Sequence, residues 1–228
     1  MKTVDIGKRI SDIRLRTGKN TVPRDFGFPC FPLYCYYPTD VPYVPQDSIH
    51  IRRMIWNFKY DRNHISAAEH SRAVSFFVPK VVETLSLILG DGLKDCVLMC
   101  IPAKTVQGNE LRWMDFSHAV CEESGMEDGY GYVSILSEGT QKHLHIGRGR
   151  DVVLSFDRDA IEGKHIVVCD DICSYGKTMK TFYRKLLENG ARDCIGVTLG
   201  ITTHVLQSVE PMFLYRNLPF SGGRKQGI

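Results

Sequence analysis

The sequence predicts an α/β fold, an open and mostly parallel sheet flanked by helices, preceded by an irregular and helical segment over residues 1–60. Three observations predict it. Short, mostly apolar runs at Cys96–Ile101, Ile166–Cys169 and Cys194–Leu199 have the length of strands covered on both faces. Stretches with helical spacing stand between them, so strand and helix alternate from residue 96 onward. The chain has 228 residues, 43% hydrophobic and 24% charged. That is enough to bury about 70% of its extended surface in one core without disulfides or metals, so residues 1–228 are read as a single domain.

Each element follows from local chemistry. Pro23, Pro29, Pro32, Pro38, Pro42 and Pro45, mixed with Phe, Tyr and Cys, exclude long helices and predict an extended segment draped over the body. Asp47 is placed to cap a helix from Ser48 to Tyr60, with Ile51, Met54, Ile55 and Phe58 on its apolar face and Arg52, Arg53 and Lys59 on a basic one. A second helix is expected from Ser66 to Leu89, kinked or split at Pro79 and ended by Asp91-Gly92. Cys96–Ile101 is a central strand, and Pro102–Glu110 is the loop at its C-terminal end, the edge where open α/β sheets hold ligands. Arg112–Glu123 has helical spacing at Trp113, Phe116 and Val120. Tyr130–Leu136 alternates like a strand, Ser137–Gly149 is a glycine-punctuated loop, and Val152–Phe156 is a short strand. Thr178–Glu188 is a helix closed by Asn189-Gly190.

Composition narrows the function classes. A net charge of +3 is too slight to imply nucleic acid, although residues 1–60 carry 10 Lys and Arg against 5 Asp and Glu. The longest apolar segment, Ala73–Leu89, contains Lys80 and Glu83, and the first residues lack the apolar core of a secretory signal. A cytoplasmic protein without a membrane span is expected. The eight cysteines then read as thiols. Cys30 and Cys35 lack the second pair that structural zinc requires, which leaves them in a plain loop.

The chemistry concentrates at His165–Met179, reading HIVVCDDICSYGKTM. An apolar strand ends in Asp170 and Asp171, a small-residue loop follows, and a helix opens at Gly176. Such an order sets two carboxylates against hydroxyls or a metal-bound sugar while loop amides and a helix N-terminus face a phosphate. Neighbouring carboxylates repel and need a counter-ligand. The Gly176-Lys177-Thr178 string is no ATP-binding P-loop, because Asp171 stands where that motif needs glycine.

Those residues, Ile166-Val167-Val168-Cys169-Asp170-Asp171 followed by Ser174-Tyr175-Gly176-Lys177-Thr178, resemble the signature of the type I phosphoribosyltransferases. Within that family the chain is most similar to the competence-protein-F-like (ComF-like) group, through Trp56-Asn57-Phe58-Lys59-Tyr60, Ile101-Pro102, and Thr140-Gln141-Lys142 followed by Arg148. It departs from the group in lacking paired C-x-x-C zinc ligands. It departs from purine-salvage enzymes in carrying Ser174 where they carry aspartate, which argues against hypoxanthine or guanine as acceptor.

The resemblance implies roles. Asp170 and Asp171 would bind the ribose 2′- and 3′-hydroxyls, directly or through Mg²⁺. Cys173, Ser174, Tyr175, Gly176, Lys177 and Thr178 would cradle the 5′-phosphate. Ala103, Lys104 and Thr105 would hold pyrophosphate, in a loop that often contains a cis peptide. Lys142, Arg148 and Arg150 would close over it, with His143 and His145 as proton shuttles or solvated loop residues. Arg112 either reaches phosphate or merely starts a helix. An N-terminal hood containing Tyr34, Tyr36, Tyr37 and Trp56 would stack on a base or simply pack. The implied activity is Mg²⁺-dependent transfer of the phosphoribosyl group from phosphoribosyl pyrophosphate to a nucleobase or other amine acceptor, in a homodimer. The alternative is a non-catalytic, DNA-associated sensor of phosphoribosyl pyrophosphate or a nucleotide.

Overall fold

A computed structural model describes residues 24–25, 27–42, 44–60, 65–137 and 152–203. Its centre is a six-stranded sheet in the order β1-β2-β8-β7-β3-β4: β1 is Arg24–Asp25, β2 Pro29–Tyr36, β3 Cys96–Cys100, β4 Glu127–Asp128, β7 His165–Cys173 and β8 Asp193–Thr202. Every pairing is parallel except β1 with β2. Cys96, His165 and Asp193 stand in register at one edge. Cys173 and Ile201, with Tyr36 and Thr202, stand in register at the other. A separate antiparallel pair joins β5, Val133–Ser137, to β6, Val153–Phe156.

Helices cover both faces. On one lie α1 (Gln46–Lys59), α2 (Ala67–Leu89) and α4 (Asp115–Ser124), burying Ile51, Ile55, Phe58, Phe77 and Phe116 against Val167 and Val197. On the other lie α5 (Arg158–Ile161) and α6 (Lys177–Glu188), whose Ile161, Met179, Phe182 and Leu186 pack on Ile166 and Val168. The alternation of β7 explains the division, since adjacent residues of a strand face opposite layers.

The expected α/β sheet is present, and several details differ. Pro29–Tyr36 is extended, yet as a full strand of the sheet and not a drape, so Cys30 and Cys35 sit buried in β2 rather than in a loop. All eight cysteines are buried thiols, and the described residues contain no His/Cys/Asp/Glu group of three that could hold a metal. Pro45, not Asp47, precedes the first turn of α1, and no side chain caps it. Helix α2 runs unsplit through Pro79 from a reciprocal Ser66–Glu69 capping box, a strong start that offsets one missing amide. By length and composition the stretch Ala67–Asp95 is apolar enough to cross a membrane, but half of its most apolar window is buried inside the fold. Finally, the helix expected at Arg112 begins earlier, with α3 (Val106–Asn109) and a π-helical turn (Glu110–Met114) leading into α4.

Candidate phosphosugar site

The C-terminal edge of the sheet gathers what the sequence singles out. Strand β7 continues beyond the expected Cys169 to Cys173, so both acids are strand residues held by the β8 ladder. Asp171 is buried at 4% exposure, while Asp170 is only partly buried. The Asp171 amide donates to Asp170 Oδ1 at 2.9 Å. Burial and the neighbouring charge of Asp171 push the Asp170 carboxyl up to about 8. Two carboxylates in so little water cannot both stay ionised without added positive charge.

Asp171 receives that charge from the protein. Arg112 Nη1 donates to its Oδ2 at 2.8 Å, and Lys59 Nζ lies 3.4 Å from its Oδ1. Arg112 also donates from Nε and Nη2, at 3.3 Å each, to the carbonyl of Lys59, the last residue of α1. One guanidinium therefore caps a helix end and neutralises a buried acid. It projects from the π-helical turn, a wide turn that re-aims side chains relative to a regular helix. The sequence left Arg112 between two roles and put Lys59 on the basic face of its helix. A signal was available: buried twin acids need counter-charges, and Lys59 lies in the same segment that carried the family likeness.

Beyond β7 the chain forms a short loop, Ser174–Gly176, before α6 begins at Lys177. Gly176 adopts the left-handed conformation (φ 70°, ψ 8°), which a residue with a Cβ adopts at a cost of about 1–2 kcal/mol. No side chain caps α6, so its first-turn amides lack a side-chain capping partner. Ser174 Oγ is 2.7 Å from Thr202 Oγ1 at the end of β8, which pins the loop. Tyr175 is 79% exposed, Lys177 and Thr178 are exposed, and Cys173 is buried as the last strand residue.

After β3, the loop expected to carry pyrophosphate is built differently in detail. The Ala103 amide is already committed to Asn109 Oδ1 at 3.0 Å. Thr105 caps α3 by accepting from the Gly108 amide at 3.0 Å, so its hydroxyl has a structural task. Lys104 is exposed on this loop. Among the described residues no peptide bond is cis. Lys142, Arg148, Arg150, His143 and His145 lie outside the described residues.

No protein-family model matches the chain, and no curated protein sequence matches it. Solved structures do. The chain is similar to phosphoribosylpyrophosphate synthetase from Mycobacterium smegmatis at 15% identity and TM-score 0.35, over 55% of this chain and 33% of that one, so it spans about a third of the synthetase. It is similar to a purine phosphoribosyltransferase from Pyrococcus horikoshii at 14% identity and TM-score 0.36, over 61% and 86% of the two chains. It is also similar to the AQ2163 protein of Aquifex aeolicus at 11% identity and TM-score 0.42, over 73% and 90%.

Proposed function

We propose that this chain is a phosphoribosyltransferase of the type I kind, transferring the 5-phosphoribosyl group from phosphoribosyl pyrophosphate to a nitrogen acceptor. One observation carries the reading. β7 sets Asp170 and Asp171 at the ligand edge of a parallel sheet, and after the three-residue loop that follows β7 an uncapped helix N-terminus opens behind Gly176. That spacing suits a sugar whose hydroxyls meet an acid and whose 5′-phosphate meets main-chain amides, with Ser174 and Thr178 adding hydroxyls.

The residues present suit Mg²⁺ in a particular way. Asp170 is a carboxylate short of a positive partner, since Asp171 is engaged by Lys59 and Arg112. Magnesium is commonly held by one or two carboxylates, with water and substrate oxygens completing its shell. When bound, the ion would neutralise the departing pyrophosphate. Asp170 would orient the ribose, and Lys104 with Lys142 and Arg148 would meet the pyrophosphate. The C1–O bond breaks with its electron pair leaving on pyrophosphate, the acceptor nitrogen bonds to C1, and the displaced acceptor proton passes to solvent. The protein contributes position and fixed charge, without a covalent intermediate.

The commitment of Asp171 to two protein cations favours one other reading: a site that binds the sugar pyrophosphate without turning it over. Pyrophosphate release distinguishes them, measured with phosphoribosyl pyrophosphate, Mg²⁺ and a panel of bases and amines. The transferase reading expects release that depends on one acceptor and is lost in Asp170→Asn. Unchanged turnover in that variant overturns the role of the acid, and binding with no release across the panel favours the sensor.

A further inference from the structure

Asp171 has more positive charge beside it than one carboxylate needs, and its two cations are held very differently. Arg112 Nη1 donates to it at 2.8 Å, while Nε and Nη2 grip the Lys59 carbonyl, so the planar fork is fastened at both ends. Lys59 Nζ stands 3.4 Å from Oδ1, beyond the roughly 2.7–2.9 Å of a charge-assisted hydrogen bond. Its side chain is 38% exposed, against 23% for Arg112. The Lys59 main chain is fixed by Arg112 and by the burial of Ile55 and Phe58, whereas its ammonium ends a flexible four-carbon stem with three donors. Arg112 already balances the buried acid, and Asp170 pairs with neither cation. The lysine is a surplus charge, anchored at its root and loosely held at its tip.

The surroundings decide which end of a ligand this charge meets. Arg112 belongs to the helical run that covers β3 and β4, where the Ser117 hydroxyl donates to the Asp128 carboxylate at 2.7 Å and the Cys121 thiol to the Glu127 carbonyl at 3.6 Å. Arg112 and the end of α1 that it grips therefore reach Asp171 from the β3 side of β7. The loop Ser174–Gly176 is tied through Ser174 to Thr202 of β8, on the other side of β7. A sugar phosphate with its phosphate on that loop and its hydroxyls at the acids turns its far end, the substituent on C1, towards Lys59.

We infer that Lys59 is a substrate-contacting residue: when the donor binds, its ammonium leaves Asp171 for the diphosphate carried on C1, and Arg112 alone then holds the acid. The pair with Asp171 is a resting position that keeps the lysine beside the site without committing its donors. During transfer the ammonium stays protonated and meets the negative charge that collects on the departing diphosphate as the C1–O bond breaks, where fixed positive charge lowers a barrier most. The inference rests on the phosphoribosyl-transfer reading and adds to it a cation to which the family likeness gives no role.

Calorimetric titration in Mg²⁺ tests it, with phosphoribosyl pyrophosphate, ribose 5-phosphate and inorganic pyrophosphate as ligands and Lys59→Met and Lys59→Arg as variants. Lys59→Met should weaken phosphoribosyl pyrophosphate roughly 10- to 100-fold, the worth of one charge-assisted hydrogen bond, and leave ribose 5-phosphate binding unchanged. Lys59→Arg should keep most of the affinity. The urea midpoint of both variants should stay in place, since Arg112 still balances Asp171 and the lysine is part-exposed. Equal weakening of phosphoribosyl pyrophosphate and ribose 5-phosphate in Lys59→Met marks the lysine as a fixed counter-ion and overturns the inference. Unchanged affinity for phosphoribosyl pyrophosphate does the same. If ribose 5-phosphate fails to bind while pyrophosphate binds in a Lys59-dependent way, the movable cation stands and the phosphoribosyl reading falls. Binding of none of the three sinks both.

Discussion

The two edges of the sheet handle charge in opposite ways. At the N-terminal edge two acids meet partners: Glu127 accepts from Tyr132 at 2.5 Å and pairs with Lys164 at 2.6 Å, and Asp193 meets His165 at 2.7 Å. Lys164 and Tyr132 hold the Glu127 carboxyl below its ordinary range, so its ionised form is favoured there. At the C-terminal edge Asp170 is pushed up to about 8, next to a buried Asp171 that has absorbed both nearby cations. One edge is settled for stability. The other keeps an electrostatic deficit that a ligand can relieve, the usual mark of a working site.

The largest expected effect is at Asp170. Asp170→Asn should lower pyrophosphate release by a factor on the order of 100 or more, the scale of a lost charge-stabilising group, and yet stabilise the fold at pH 8. The folded pKa lies above the unfolded value of about 3.9, so the folded state binds the extra proton. The Asp170 contribution to stability should therefore be greatest below about pH 4, fall as pH rises towards 8 and then level, a component absent in the variant. Urea unfolding across pH 4–9 reads it directly, and parallel curves for the two proteins would erase the contrast between the edges.

Next comes Arg112→Ala, which leaves buried Asp171 with Lys59 as its one remaining cation and should cost about 3 kcal/mol, seen as a lower urea midpoint. Arg112→Lys should recover only part, because an ammonium cannot reach a carboxylate and a helix-end carbonyl in the same fork. Gly176→Ala should cost about 1–2 kcal/mol through its left-handed backbone and weaken ribose 5-phosphate binding, with α6 otherwise intact. The smallest effect belongs to the settled edge. Glu127→Gln, at a partly exposed pair, should cost less than about 1 kcal/mol and leave turnover unchanged. Its pH signature is opposite in sign: a depressed carboxyl stabilises above the unfolded pKa and loses that contribution as pH falls through the folded one, so the variant should flatten the acid limb.

Much of this was legible in the chain. The runs at residues 96, 166 and 194 announced the central strands because a strand buried on both faces must be apolar throughout. The acid pair and the loop to Gly176 were equally plain, since their order along the chain is their order in space. β2 was hidden by Pro29 and Pro32, which argue against a strand unless it borders the sheet, and among the described residues β2 pairs along its length with β8 and only at Pro29 and Cys30 with β1. The Lys59–Asp171–Arg112 cluster was legible only as a need for counter-charge, because it joins three distant segments. The acids advertised a need for positive charge, and only the fold could say that the protein meets half of it itself.

The double duty of Arg112 has a consequence for how such a chain can drift. A lineage cannot exchange this guanidinium for a shorter or single-pronged cation without unfastening the end of α1 and uncovering an acid in the same step. Neither loss can be repaired from the other's neighbourhood. Position 112 should therefore change only together with positions 59 and 171, as a linked trio inherited whole or abandoned whole.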